Sequence, residues 1–234
     1  MRTPASLLAD LLAADPARPR VTFYDDAPGE TRGERIELSG KVLANWVAKA
    51  GNALQEELDA GPGTVVRLDL PGHWRALYWA LATWSVGATV DLDGTAEADV
   101  TVTDDPAHVP AGGEAVVVTL AALARSHPGT LPAGAMDEAR ELATYADAFS
   151  PWDAPGPQDP ALVAGGEHTA YDAVVPSPGW PTGARVLATG DLASVLRTAL
   201  AAWAVDGSVV LVREPDPARM PGRLAAEGVT LDPR

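Results

Sequence analysis

TVVRLDLPGHWRALYWALATWSVGATVD, residues 64–91, decides the fold of this chain. Val65, Val66, Leu68 and Leu70 form a short apolar run that stops at the turn pair Pro71-Gly72. Arg75–Val86 follows with helical composition and a single charge, Arg75. Trp74, Leu77, Tyr78, Leu81 and Trp84 recur at spacings of three and four, and Trp79, Ala80, Thr83 and Val86 line the other side. A helix apolar all round is predicted to be buried. Gly87 ends it, and Ala88–Leu92 reads as the next strand. A strand–helix–strand unit this apolar belongs in a mostly parallel α/β sheet.

The regions before this unit follow the same logic. Ser6–Ala14 reads as an amphipathic helix stopped before Pro16. Arg20–Tyr24 and Arg35–Leu38 read as strands flanking the polar connection Asp25–Gly33, a hairpin-like pair. Ser39 is a helix cap, and Val42, Leu43, Trp46, Val47, Ala50, Leu54 and Leu58 mark one face of a long helix reaching Asp59.

Downstream, Asp93–Asp99 is a polar loop, and Val100–Thr103 and Ala115–Thr119 are short strands. Leu120–Arg125 is a short helix at most, and the spacing predicts a helix over Met136–Phe149 with Leu142 and Tyr145 inside. SPWDAPGPQDP, residues 150–160, carries four prolines and reads as a linker. We therefore expect a first subdomain over residues 1–149, the linker over 150–160, and a second subdomain over 161–234. The second contains a strand at Ala161–Ala164, a strand at Arg185–Thr189, a helix at Asp191–Val205, a strand at Ser208–Val212, a helix at Asp216–Glu227 and a strand-like Val229–Leu231.

The organising unit occurs twice. Leu77, Ala80, Leu81, Ala82 and Trp84 match Leu196, Ala199, Leu200, Ala201 and Trp203 without a gap. VRLDLPG (Val66–Gly72) lies over RVLATGD (Arg185–Asp191), and GERIELS (Gly33–Ser39) over GEHTAYD (Gly166–Asp172). An internal repeat is the preferred reading; convergence of two buried α/β units on similar residues is the alternative.

Composition excludes several functions. Net charge is −15, which argues against nucleic acid and anionic membrane surfaces as partners. The chain has no cysteine, hence no disulfide, thiolate metal site or cysteine nucleophile. Only Lys41 and Lys49 are lysines, against fifteen arginines, which removes most candidates for a catalytic lysine. The opening MRTPASLLADLLAADP carries Asp10 and Asp15 in its apolar run and does not read as a signal peptide, and the longest uncharged run, Ala76–Val90, is too short to span a bilayer. A soluble cytoplasmic protein is expected.

RVTFYDD (Arg20–Asp26), the helix after ELS (Glu37–Ser39), VVRLDLPGHWRALYWALATWSVGATVDLD (Val65–Asp93) and VTVTD (Val100–Asp104) together resemble the N-terminal portion of acyl-CoA synthetases and other AMP-forming ligases. RVLATGDLASVLRTALAAWAVDGSVVLVREPDPARMPGRLAAEGVT resembles the next subdomain of those enzymes. The chain is thus similar to a group of short proteins built like that N-terminal region. The resemblance implies a truncated, acyl-adenylate-ligase-like fold of two related α/β subdomains with mostly parallel sheets. It also implies a phosphate loop, a Ser/Thr/Gly-rich stretch ending in Pro-Lys-Gly, between the two matching regions. ALVAGGEHTAYDAVV (Ala161–Val175) stands there instead, without lysine and with Glu167 beside the glycines, where a carboxylate repels phosphate. The later nucleotide-binding segments and the domain with the catalytic lysine have no counterpart in these residues. Thr189-Gly190-Asp191 is similar to the family's ribose-binding Thr-Gly-Asp but precedes a helix, so we read it as a turn and N-cap.

Other candidates weigh less. His73, His108, His127 and His168 lack metal-ligand spacing; His73 sits at a strand–helix turn, where α/β folds bind ligands, yet a packing role explains it better. Asp91 and Asp93 lie at a strand end, as many acidic pairs do in an acidic chain. No G-x-S-x-G, H-E-x-x-H or G-x-G-x-x-G occurs. The best remnant of a ligand loop is Gly165, Gly166, His168 and Thr169, with a plain turn as its competitor. No catalytic residue, metal or cofactor is assigned. The leading expectation is a non-catalytic pseudoenzyme that binds a partner or small ligand; the second is a residual nucleotide- or acyl-binding enzyme. A homodimer or protein partner engaging Arg223–Leu231 is expected on the ground that Val229–Leu231 ends as a sheet-edge strand.

Overall fold

The computed structural model of the protein describes residues 2–94 and 97–233. Of the expected polar loop 93–99, Thr95 and Ala96 lie outside the described residues. The helices are α1 (Pro4–Ala14), α2 (Gly40–Asn52), α3 (Trp74–Val86), the single turn α4 (Glu138–Glu141), α5 (Leu192–Ala204) and α6 (Met220–Ala226). The strands are β1 (Pro19–Asp25), β2 (Arg35–Ser39), β3 (Val65–Asp69), β4 (Thr89–Asp91), β5 (Val100–Thr103), β6 (Glu114–Val117), β7 (Met136–Asp137), β8 (Pro160–Ala164), β9 (Glu167–Ala170), β10 (Arg185–Ala188) and β11 (Ser208–Arg213). They form a seven-stranded sheet, β7-β6-β5-β3-β4-β8-β9, and a four-stranded sheet, β10-β11-β1-β2. Both are parallel except at one edge, where β9 and β2 run antiparallel to β8 and β1.

The organising stretch folds as read. β3 and β4 are parallel neighbours, and α3 connects them. Every α3 residue except the half-buried Ser85 is buried, including Trp74, Tyr78, Trp79 and Trp84. Ser39 caps α2 through its hydroxyl, which accepts the Val42 amide at 3.2 Å. Asp191 caps α5 by accepting the Ser194 amide at 2.8 Å. The helix expected to reach Asp59 runs through α2 and then widens into a π-helical turn, Ala53–Glu57.

Two compact units emerge, and neither is a contiguous half of the chain. One contains Asn45–Leu70 and Tyr78–Val174; the other contains Arg2–Ala44, Pro71–Leu77 and Val175–Arg234. The expected division at residues 150–160 is therefore corrected. β8 follows the proline-rich segment but pairs with β4, so residues 160–170 complete the sheet begun by β3. Likewise β1, near the start of the chain, pairs with β11.

The expected repeat explains this exchange. In chain order, β1–β2 is a hairpin followed by β3–α3–β4, and β8–β9 is a hairpin followed by β10–α5–β11. Each hairpin pairs with the strand–helix–strand of the other repeat: β8 lies parallel to β4, and β1 parallel to β11. The hairpins share a further irregularity. Each first strand starts with proline, and the ladder slips by one residue just after it, between Pro160 and Leu162 and between Pro19 and Val21. A bulge of this kind frees one backbone carbonyl from the ladder. In both units a tryptophan at the end of the helix claims it. Trp84 Nε1 donates to the Ala161 carbonyl at 2.7 Å, and Trp203 Nε1 to the Arg20 carbonyl at 3.2 Å.

In the four-stranded unit, Val210, Val212 and Leu187 pack with Met220 of α6 and with Leu224 and Val229. α5 contacts β10 and β11, and α1 contacts α5. Because side chains alternate along a strand, the remaining face of Val186, Val209 and Leu211 is left for α5. Val229–Leu231 adds one bridge, Leu231 beside Val186, with the Leu187 amide donating to the Leu231 carbonyl at 2.9 Å. The segment read as a sheet-edge strand thus pairs with β10, at the edge of the four-stranded sheet.

The helix expected over Met136–Phe149 is corrected to β7, one turn of α4 and a 3-10 turn, Leu142–Thr144. The reason is competition for backbone carbonyls. Lys49 donates to the carbonyls of Ala143 and Tyr145, Asn52 to those of Ala146 and Ala148, and Gln55 to that of Ser150. Side chains of the helix ending at Glu57 thereby hold residues 143–150 as an irregular strap. Leu142 is buried as expected, whereas Tyr145 is half-buried. Residues 120–125 form turns and bends rather than a helix.

Candidate functional site

The remnant loop singled out in the sequence is the tip of the β8–β9 hairpin. Ala164 and Glu167 face each other across the ladder, leaving Gly165 and Gly166 as a two-residue turn. Their φ values are +61° and +77°. Two successive left-handed residues are what a primed hairpin turn requires, and glycine adopts them without strain. Among the described residues nothing lies within 4 Å of a Cβ built at either position, so backbone conformation rather than crowding selects glycine here.

Two successive amides in such a turn point together and form a cradle for an anion. The cradle is filled. Asp93 Oδ1 accepts the Gly165 amide at 2.7 Å, and Asp93 Oδ2 accepts the Gly166 amide at 2.8 Å. One carboxylate therefore straddles both donors, with charge-assisted bonds of the short kind. Asp93 is itself fixed. Asp91, fully buried at the end of β4, accepts the Asp93 amide at 3.0 Å and the Gly94 amide at 3.2 Å through Oδ1. The Leu92 amide between them donates to the Val163 carbonyl at 3.0 Å. Gly94, at φ +63°, lets the Arg67 guanidinium lie against the backbone, where a Cβ would sit 2.7 Å from its central carbon. Asp91 Oδ2 is buried and has no hydrogen-bond partner among the described residues.

Of the four residues proposed from sequence, Gly165 and Gly166 act together through their amides. His168 and Thr169 are successive residues of the edge strand β9, opposite Val163 and Leu162, so their side chains leave opposite faces of the sheet. The sequence drew attention to Asp93 only as a strand-end carboxylate. Its role could not be read there, because its partners lie 72 and 73 residues away.

His73 is core. Its ring is buried, lies edge-on to Phe23 at 4.4 Å, and accepts the Arg75 amide at Nδ1 (3.2 Å). Burial, with the Arg75 and Arg213 charges as lesser causes, holds its pKa well below the ordinary histidine range. His108 Nδ1 lies 2.6 Å from Asp69 Oδ2, beside the ends of β3 and β5. Among the described residues no group of three or more His, Cys, Asp or Glu side chains is placed to hold a metal ion.

A second feature went unread. In the four-stranded unit, Ser194, Arg197, Thr198 and Ala201 form a strip along α5 at helical spacing, and this strip lines a cavity of about 450 Å³ with Trp180, Leu187 and Pro176. Arg197 makes no ion pair or hydrogen bond among the described residues. The signal was present as a polar stripe on an otherwise apolar helix, which periodicity alone assigns to solvent.

No family model matches the sequence. A TIGR03089 family protein of Mycobacterium tuberculosis (strain ATCC 25618 / H37Rv) is 37% identical over 253 residues, which cover 98% of this chain and 99% of that protein. The chain belongs to the TIGR03089 family. Solved structures place the fold of this TIGR03089 protein among acyl-CoA synthetases and adenylation domains. It superposes on NpsA-ThdA, an artificially fused adenylation–PCP di-domain NRPS from Klebsiella oxytoca, with a TM-score of 0.71 at 14% identity, over 99% of this chain and 43% of that one. The M. tuberculosis fatty acyl CoA synthetase gives 0.69 at 12% identity, over 98% of this chain and 48% of that one. The inhibitor-bound N-terminal domain of FACL13 from M. tuberculosis gives 0.72 at 12% identity, over 99% and 62%. The TIGR03089 chain thus has the α/β fold of the N-terminal part of these enzymes and spans about half the length of the solved proteins. No helix among its described residues is long and apolar enough to cross a membrane.

Proposed function

We propose that this chain is an AMP-ligase-like protein that does not adenylate and that binds a small ligand or a partner. The observation that carries this reading is the Asp93 carboxylate seated on the Gly165 and Gly166 amides. A phosphate needs free donors and net positive charge at such a turn. Here both donors are taken, the occupant is an anion, and Glu167 follows immediately. Two unit charges about 4 Å apart near a protein surface repel by about 4 kcal/mol, so a triphosphate would have to expel Asp93 before it could bind. Neither lysine of the chain lies in or beside the turn.

The alternative, residual acyl binding, is favoured by the cavity beside α5. Its volume of about 450 Å³ falls in the range of small-molecule sites, its walls are largely apolar, and Arg197, whose charge acts on Asp191, makes no ion pair or hydrogen bond among the described residues. A small organic acid with an apolar body matches that chemistry. A thermal-shift panel with ATP, AMP, coenzyme A and short aliphatic and aromatic carboxylates tests both readings, because a ligand that binds the native state raises the unfolding midpoint. The expected result is a response to carboxylates that is lost in Arg197→Gln, and none to ATP. A midpoint raised by ATP would overturn the non-adenylating reading.

A further inference from the structure

Trp152 stands out among the aromatic residues of this chain. It is 66% exposed, although it begins in a segment held tightly at the backbone. The Trp152 amide donates to Gln55 Oε1 at 2.8 Å, and Gln55 Nε2 donates to the Ser150 carbonyl at 3.2 Å. Gln55 is 4% exposed. A buried amide side chain therefore fixes the backbone on either side of residue 151 while the indole is left in water. Exposing an indole forfeits burial of one of the largest apolar side chains.

The indole borders a cavity of about 190 Å³, whose lining also includes Asp59, Gly61, Thr64 and Asp153. Both Asp59 and Asp153 are exposed, and neither forms an ion pair or a side-chain hydrogen bond among the described residues. Asp59 is held at φ +48°, a left-handed conformation that aspartate tolerates better than most residues. The helical run that ends at Glu57 adds a third feature. Beyond it, the Leu58 amide turns back to Ala53 and the Ala60 amide to Leu54. The carbonyls of Gln55, Glu56 and Glu57 accept no hydrogen bond among the described residues. The negative end of a helix dipole therefore acts on the same cavity.

An exposed indole face, two unpaired carboxylates and a helix C-terminus all select the same ligand charge, and each does so by a different mechanism. The ring quadrupole attracts a cation, the carboxylates attract it by direct charge, and the carbonyls by their dipoles. We propose that Trp152, Asp59 and Asp153 form a binding site for one organic cation head group, an alkylammonium or a guanidinium. The cavity is large enough for a head group and too small for a drug-sized molecule. An inorganic cation gains little from an indole, and among the described residues no metal-holding cluster exists.

The test follows the Trp152 indole N–H by NMR in the full chain, the signal being assigned by its loss in Trp152→Leu. Choline and N-acetyl-arginine amide are titrated at constant ionic strength, with 3,3-dimethyl-1-butanol as the uncharged isostere of choline. The expected result is a saturable shift with at least one cation, no shift with the alcohol, and binding at least tenfold weaker in the double variant Asp59→Asn/Asp153→Asn. All three substituted side chains are exposed, and asparagine keeps the left-handed tolerance at position 59, so the fold is retained. Whichever cation binds more tightly identifies the head group. An equal shift with the alcohol, unchanged binding in the double variant, or no shift with either cation overturns the proposal.

Discussion

Trp84 and Trp203 do the same work in the two units. Each closes a buried helix, and each donates its indole N–H to the carbonyl of the second residue of a proline-led strand, Ala161 in one unit and Arg20 in the other. The carbonyl is available because the ladder slips there in both hairpins. Packing and hydrogen bonding are thus joined in one side chain, 2% exposed in each case.

Truncation at either tryptophan should be severe. Trp84→Ala and Trp203→Ala should each cost about 3–5 kcal/mol, and the phenylalanine variants less, with about 1–3 kcal/mol of that loss coming from the orphaned carbonyl. Trp152→Ala should fall within about 0.5 kcal/mol of the native protein. Urea denaturation measures all three. Equal tolerance at the three sites contradicts the equivalence.

Removing the Asp93 carboxylate should uncover the cradle. Asp93→Ala should lose about 1–3 kcal/mol, because two amides lose a charged acceptor. It should then be stabilised by added sulfate more than the native protein at the same concentration. Thermal melts of both proteins across a sulfate series check this, and parallel curves would mean that the freed amides do not form an anion site.

His73 should make the protein acid-sensitive well above the carboxylate range. Its folded-state pKa lies below the ordinary histidine value of about 6.5, so the unfolded chain takes up the proton first as pH falls. Stability is full above that value and declines below it. His73→Asn, which keeps an acceptor for the Arg75 amide, should be less stable at pH 8 but flatter toward the acid side. Denaturation midpoints measured from pH 8 down to the onset of carboxylate titration compare the slopes; an unchanged slope in the variant assigns the acid sensitivity elsewhere.

Asp26 acts in a lower window. Its carboxylate accepts two bonds from Arg223, at 2.7 and 2.9 Å, and the Asp216 amide at 3.0 Å. Those Arg223 bonds lead the causes that hold its pKa below the ordinary aspartate value. The folded pKa is depressed, so the contribution is present above about 3.9 and is lost as pH falls through the folded value. Asp26→Asn should cost about 3–5 kcal/mol at neutral pH, because it leaves the largely buried Arg223 unpaired against Tyr24. The difference from the native protein should close under acid, as followed by denaturation at several pH values.

What the sequence disclosed depended on the range of each interaction. α3 and α5 were legible because their burial is written in consecutive residues, and Ser39 and Asp191 because a cap lies next to its helix. β9 and β2 were legible as counterparts only through the weak match of GEHTAYD and GERIELS. The pairing partners of β8 and β1 were not legible, since a proline-rich segment looks like a boundary whether or not the next strand returns to the earlier sheet. The strap at 143–150 was misread for a related reason. Its local composition favours helix, and the donors that capture its carbonyls sit on Lys49, Asn52 and Gln55, about 95 residues earlier. The glycine turn was found by its residues, yet its state depends on Asp93.

ATP–pyrophosphate exchange with a broad panel of carboxylic acids asks whether the chain adenylates at all. Only background exchange is expected from the native chain, with or without added acid, because Asp93 holds the amides that a phosphate would need. Exchange that depends on the acid and disappears on substitution of Glu167 or His168 would contradict it.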